Sequence, residues 1–253
     1  MRTLKLTVSY DGTHYVGWQR QLNGLSIQQL VEEAFVPLLG AAPTVAGASR
    51  TDAGVHALGQ VASLNLDSAL PAPAIQRALN MRLPEDVRIV GAVEARLGFH
   101  ARFHASGKSY RYRIATTPVL SPFDRWFVWH VSQPLETARM QRAAAALVGR
   151  HDFAAFQASG ASIVGTVRTL ERVEVIDAGG EVRVEIDGEG FLRHMVRTIA
   201  GTLTEIGLGQ RPVEAMAEIV AAGDRRLAGK TAPALGLTLV SVKYGDITNG
   251  GLG

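Results

Sequence analysis

Val173-Glu174-Val175-Ile176-Asp177-Ala178-Gly179-Gly180-Glu181-Val182-Arg183-Val184-Glu185-Ile186 is the stretch on which the fold class turns. Aliphatic residues recur on both sides of a glycine pair, interleaved with charged ones. A period of two marks a strand with one buried face. The Ala178-Gly179-Gly180 link joins the two runs into a hairpin. Hairpins beside helices argue for an α+β fold with antiparallel pairing, because a doubly wound sheet needs strand and helix in regular succession.

The neighbouring segments agree. Tyr110, Tyr112 and Ile114 alternate with Arg111 and Arg113, a strand with one aromatic face. Leu135 to Val148 reads as an alanine-rich helix closed by Gly149. His151-Asp152-Phe153 directly follows, and reads as helix-end structure rather than as a catalytic pair. Phe191 to Ile206 reads as a helix with Leu192, Met195, Val196, Ile199 and Leu203 on one side. Arg193 and Arg197, four apart, are expected to share another face. Pro212 to Val220 is a further helix ended by Gly223, and Leu237 to Tyr244 the last strand.

The first hundred residues repeat the mixture. Leu4, Leu6, Val8 and Tyr10 alternate with polar neighbours, and Asp11-Gly12 turns the chain. Ser26 followed by Gln29 resembles a capping box, with Leu30, Val31, Ala34 and Phe35 at helical spacing behind it. Helix is expected from Ala74 to about Met81 and strand from Val87 to Val93. Two halves of similar make-up follow, residues 1–105 and 106–245, with a loose glycine-rich tail at 246–253.

Composition narrows the chemistry. The 253 residues are 47% hydrophobic and 19% charged, with a formal net charge of +3. Cysteine is absent, so disulfides, thiolate catalysis and Cys-ligated metal sites are excluded. No apolar leader precedes Tyr10 and no run of about eighteen apolar residues occurs, so a cytoplasmic protein without a membrane segment is expected. Neither an H-E-x-x-H pair nor a G-x-x-x-x-G-K-[ST] loop is present, which leaves zinc hydrolysis and P-loop chemistry without motif support.

The polar stretch Ser49-Arg50-Thr51-Asp52-Ala53-Gly54-Val55-His56-Ala57 sets an acid between an arginine and a glycine, ahead of the apolar run from Val61 to Leu66. On its own it has two readings. One is a turn, since Asp and Gly form turns for reasons of their own. The other is a loop that aims a carboxylate into a cleft.

Other segments bear on that choice. They are Tyr10-Asp11-Gly12 with Gly17-Trp18-Gln19-Arg20-Gln21; Asn80-Met81-Arg82-Leu83-Pro84-Glu85-Asp86-Val87; and Phe99-His100-Ala101-Arg102-Phe103 with Lys108-Ser109-Tyr110-Arg111-Tyr112. Gly190-Phe191-Leu192-Arg193-His194-Met195-Val196-Arg197 and Thr231-Ala232-Pro233 with Gly236-Leu237 complete them. In order and spacing they resemble the tRNA pseudouridine synthase A family, from about Tyr10 to Tyr244. One departure is Ser49, where that family commonly carries glycine. Serine tolerates positive φ poorly, so this loop is expected to do without it.

The resemblance implies two ferredoxin-like, RNA-recognition-motif-like halves with mainly antiparallel sheets meeting at a central catalytic cleft. It implies isomerisation of uridine to pseudouridine at positions 38, 39 and 40 of the tRNA anticodon stem-loop, by a homodimer, with no cofactor, no metal and no DNA partner. Asp52 matches the family's catalytic aspartate. Whether it attacks C1′, attacks C6 or promotes elimination is open. Burial disfavours a carboxylate's charged form and a nearby guanidinium favours it; by resemblance Arg197 is that guanidinium, in an ion pair bridging the halves. Tyr110 matches the active-site tyrosine, with stacking on the target uracil as its expected role and its hydroxyl a candidate for the C5 proton; from the residues alone a core tyrosine is the favoured reading, since Tyr112 and Ile114 lie on the same strand face.

Substrate contacts are expected from Arg50, His56, Arg102, Lys108, Arg111 and Arg193. Arg50 either fills the space of a flipped base or shapes its own loop by a salt bridge. His56 either orients the loop or moves a proton. The rival from another class is a noncatalytic RNA-binding protein, which has no need of Asp52, Tyr110 and Arg197 together. A closer rival is the same reaction at another uridine.

Overall fold

A computed structural model of the chain describes residues 1–158 and 165–245. The tail 246–253 lies outside the described residues. The chain divides into two compact units. One comprises Met1–Ser106 and the chain from Leu239; the other comprises Gly107–Thr238.

The first unit starts with β1 (Arg2–Tyr10), α1 (Ile27–Ala34), the one-turn α2 (Val36–Leu39), β2 (Ala46–Gly47) and β3 (His56–Leu66), then α3 (Ala72–Asn80) and β4 (Val87–Ala95). Leu4, Leu6 and Val8 on β1 are fully buried, as their alternation predicts. β1 pairs antiparallel with both β3 and β4. The Ser26 side chain accepts from the Gln29 backbone N–H and so caps α1, satisfying one of the donors a helix start leaves open. The opposite face of the sheet carries its own cluster: Val61, Ala95, Phe99 and Ala101, with Val242 and Tyr244 packed against it. The Tyr244 hydroxyl donates to Ala101 O at 2.7 Å. Burial pushes that hydroxyl's pKa well above the ordinary tyrosine value.

The second unit holds β5 (Ala105–Ala115, begun in the first unit), the short β6 (Trp129–His130), α4 (Thr137–Ala144), β7 (Gly149–Asp152), β8 (Val167–Asp177), β9 (Glu181–Gly188), α5 (Met195–Gly207) and α6 (Ala215–Ala222). The order of its principal strands is β5-β9-β8-β7, antiparallel throughout, with β6 parallel to the end of β5. The expected hairpin is β8–β9. Tyr112, Ile114, Val184 and Ile186 are fully buried, and α4 packs on β8 and α5. The alternate residues carry an ionic ladder: Arg111 with Glu185 at 2.8 Å, Arg172 with Asp187 at 3.0 Å, and Arg113 with Glu181 at 2.6 Å. Finally β10 (Leu237–Tyr244) returns the chain beside β3. There an ideal Cβ on Gly59 would stand 2.5 Å from Val240 O, so β3 needs glycine at that point.

Three expectations are corrected. The alanine-rich helix is shorter than its composition suggests. It runs from Thr137, tightens into a 3-10 turn at Ala145–Leu147, and ends on Val148 in extended conformation. Gly149 does not close it but opens β7, where His151 pairs with Arg168. His151-Asp152 is therefore largely strand, not helix end. Thirdly, α5 begins at Met195 rather than Phe191. His194 sits at φ 63°, the left-handed region, and a left-handed residue cannot extend a right-handed helix backwards. Arg193 thus lies off the helix and shares no helical face with Arg197. Leu192 is buried all the same, through a turn in which Met195 N–H donates to Leu192 O.

Candidate active-site residues

In the first unit the site is a loop. Ser49 to Val55 links β2 to β3, and Asp52 on it is half-buried while Arg50 is exposed. Its backbone is tied down from several directions. Thr51 Oγ1 lies 2.8 Å from the buried Tyr10 hydroxyl at the end of β1. Thr51 O accepts from Trp18 N–H at 3.1 Å, and Gly54 N–H donates to Tyr15 O at 3.3 Å. An ideal Cβ on Gly17 would meet Thr51 O at 2.4 Å, and one on Gly12 would meet Val55 O at 2.0 Å. These two glycines are close-approach residues. They let the chain after β1 lie directly on the Asp52 loop, which explains why Asp11-Gly12 and Gly17-Trp18 accompany it in the sequence.

His56 is 3% exposed. Its Nδ1 accepts from Gly12 N–H at 3.1 Å, with Asp11 Oδ1 at 3.1 Å from the same atom. The imidazole thus acts as a strut between the start of β3 and the Asp11-Gly12 turn that follows β1. Ser49 does without positive φ: among the described residues His194 is the one non-glycine there. Arg102 is in the turn after β4. It is exposed, with its guanidinium 5.8 Å from the Phe103 ring centroid.

In the second unit the corresponding residues, Arg193 excepted, ride on regular elements. Tyr110 is on β5 opposite Ile186 and 7% exposed, its ring edge-on to Phe191 with centroids 5.0 Å apart. Lys108 is two residues before it on the same strand. Arg111 alternates to the other face and pairs with Glu185. Arg193 is exposed, in the approach to α5.

Arg197 is in the first turn of α5. Its Nε donates to Ala232 O at 2.9 Å, and Ala232 N–H donates back to Arg197 O at 3.1 Å. The segment from Gly229 to Pro233 lies along α5 as a strap. An ideal Cβ on Gly201 would stand 1.8 Å from Lys230 O, and Gly229 N–H donates to Thr202 Oγ1 at 2.9 Å. Tyr112 anchors the end of the strap, its hydroxyl donating to Pro233 O at 2.7 Å. Burial drives that hydroxyl's pKa far up, against the opposing pull of the Arg197 charge. Sequence reasoning marked Thr231-Ala232-Pro233 without assigning it work; the tightness of Gly201 shows what it does.

Among the described residues, no helix is long and apolar enough to cross a membrane, and no group of three or more His, Cys, Asp or Glu side chains could hold a metal ion.

A family model described as "tRNA pseudouridine synthase" matches residues 6–104 and 143–245. Asp52 and Arg197 fall inside the matched segments and Tyr110 between them. Curated relatives named tRNA pseudouridine synthase A are similar over nearly all of the chain. That of Syntrophotalea carbinolica is 48% identical over 96% of this chain and 97% of its own length. That of Pelobacter propionicus is 47% identical, over 96% and 100%. That of Myxococcus xanthus is 47% identical, over 97% and 93%. With both unit cores and the Asp52 loop inside matches of this extent, the chain belongs to the tRNA pseudouridine synthase family.

Proposed function

We propose that this chain converts uridine to pseudouridine at positions 38, 39 and 40 of the tRNA anticodon stem-loop, with Asp52 as the reacting carboxylate. Family membership carries the coarser statement, that the protein is an isomerase acting on tRNA uridine. The finer one rests on Asp52, a half-buried acid on a loop tied to the end of β1.

The reaction is an isomerisation and balances internally. The N1–C1′ bond breaks, the base turns, C5 bonds to C1′, the C5 proton leaves and N1 gains a proton. Asp52 serves as nucleophile or electrostatic partner during cleavage. Arg197 is proposed as its counter-ion, which supports the ionised form in a site that closes against water. Tyr110 is proposed to stack on the uracil and to stand near the C5 proton. Arg50 is proposed to occupy the space left by the flipped nucleotide, whose extrusion costs a few kcal/mol. Arg102, Lys108, Arg111 and Arg193 are proposed phosphate contacts, with affinity falling steeply as salt rises; for Arg111 this requires giving up part of its pairing with Glu185. His56 serves the loop more than the RNA, given its burial.

The same reading takes the units as two ferredoxin-like, RNA-recognition-motif-like halves around a central cleft, in a cytoplasmic homodimer that needs no cofactor. The test is pseudouridine formation in unmodified tRNA carrying uridine at 38, 39 or 40. Asp52→Ala is expected to lower the rate about 10³-fold or more with tRNA binding retained. Conversion at undiminished rate in that variant would remove Asp52 from the chemistry. Conversion at some other uridine would move the target while leaving the enzyme class in place.

A further inference from the structure

We propose that Gln60 is a positioning residue for Asp52, its buried amide setting the point and angle at which the Ser49–Val55 loop leaves the sheet. The proposal rests on the reading of Asp52 as the reacting carboxylate. It concerns a residue on β3, the strand that follows the loop.

The β2–β3 pairing runs Ala46 to Ser63 and Gly47 to Ala62, and continues as Ala48 N–H donating to Val61 O at 2.8 Å. At the next residue the pattern changes. Ser49 N–H donates to Gln60 Oε1 at 3.2 Å, and Gln60 Nε2 donates to Ser49 O at 2.7 Å. A side-chain amide thus takes over as partner of both backbone groups. It offers one donor and one acceptor side by side, as a peptide does. The chain is released from the ladder with both backbone groups of the half-buried Ser49 still paired.

Gln60 is fully buried, so its amide is held by packing and is shielded from competing water. The clamp fixes Ser49, and the Trp18 and Tyr10 bonds fix Thr51. The backbone on which Asp52 stands is therefore located by two anchors on its near side. A carboxylate that must meet a single carbon is sensitive to such anchoring: a displacement of about 1 Å can cost on the order of 10²-fold in rate.

The chemistry of the clamp supplies a discriminating variant. Glutamate has the same shape. When protonated it presents one acceptor and one O–H donor and rebuilds both bonds. When ionised it accepts only, and sets a carboxylate oxygen against Ser49 O. Gln60→Met removes both bonds at every pH.

Single-turnover rates and tRNA affinities of wild type, Gln60→Glu, Gln60→Met and Asp52→Ala would be measured from about pH 5.5 to about pH 8.5, the range in which a buried carboxyl titrates. Melting curves at each pH would show that the compared proteins are folded. The expected result is a Gln60→Met rate lowered about 10- to 100-fold with tRNA affinity within about twofold, by a factor that does not change with pH. Gln60→Glu should approach the wild-type rate as pH falls and lose ground as it rises.

A folded Gln60→Met enzyme with the wild-type rate would overturn the proposal. So would a ratio of Gln60→Glu to wild type that is flat over a pH range in which the variant's melting temperature falls relative to wild type as its carboxyl ionises, and this comparison decides alone if Gln60→Met does not fold. A purely structural role would lower the melting temperature and leave the rate of the folded enzyme, and its pH profile, unmoved. Full activity in Asp52→Ala would instead sink the underlying reading of Asp52, an outcome separable from any result at Gln60.

Discussion

The two units present their candidate site residues by opposite means. In the first, Asp52 stands on an irregular loop, and single side chains hold it one point at a time: Tyr10 on the Thr51 hydroxyl, Gln60 on the Ser49 backbone, and His56 on the backbone of the neighbouring Gly12. In the second, Tyr110 and Arg197 stand on a strand and a helix, whose hydrogen bonds are shared along their length. Exposed backbone in a loop must be satisfied group by group, whereas a ladder or helix satisfies it by repetition. A loop can therefore place an acid where no regular element reaches, at the cost of depending on individual side chains.

The largest break in this comparison is expected in the second unit, at Gly201, a place where it too depends on a single residue. Gly201→Val would drive a branched side chain into Lys230 O and lift the strap that holds Arg197 Nε. Overpacking of this kind costs about 1–3 kcal/mol, and displacement of the guanidinium should lower turnover on the order of 10²-fold. Urea denaturation and single-turnover assays together would check it. An undisturbed rate would mean that the strap does not position Arg197.

A smaller effect is expected at Thr51→Val, which keeps the shape and deletes the hydroxyl facing Tyr10. A lost buried hydrogen bond costs about 1–2 kcal/mol. The loop account predicts a rate loss of about tenfold in a variant that remains folded. An equal loss of stability with no change in rate would place this bond in the general scaffold instead.

The smallest effect tests the distributed side of the comparison. Glu181 belongs to the ionic ladder of β5 and β9. Burial works to raise its carboxyl pKa, but the hydrogen bonds from Arg113 and Arg183 outweigh burial and hold it below the ordinary glutamate value. A depressed carboxyl stabilises the fold fully above its unfolded value and loses that contribution as pH falls through its folded value. The urea midpoint of wild type should therefore exceed that of Glu181→Gln near neutral pH and converge on it below about pH 4. The turnover of the variant should stay close to wild type. A constant difference across pH would show that the ladder acts by packing and not by charge.

Much of this was legible in the residues. Alternation in β1, β5, β8 and β9 located strands, because period two requires only one buried face. The Ser26 cap and the left-handed Gly223 marked helix ends through backbone chemistry that is local. Where the reading failed, the cause was not local. Nothing in Phe191-Leu192-Arg193 forbids helix; the left-handed His194 does, and tertiary packing must over-determine that conformation. The alanines before Val148 favour helix by propensity, yet the chain tightens and turns into β7 because it can pair with β8 there.

The sequence by itself determined the α+β class, the family and the identity of the candidate acid, tyrosine and arginine, since these rest on periodicity and on motifs written along the chain. Only the tertiary structure decided what holds them. Gln60 clamping Ser49, Gly201 admitting the Lys230 strap and His56 bracing Gly12 all join residues that no local pattern pairs. Each depends on a hydrogen bond or a missing Cβ whose partner becomes apparent only once the chain has folded.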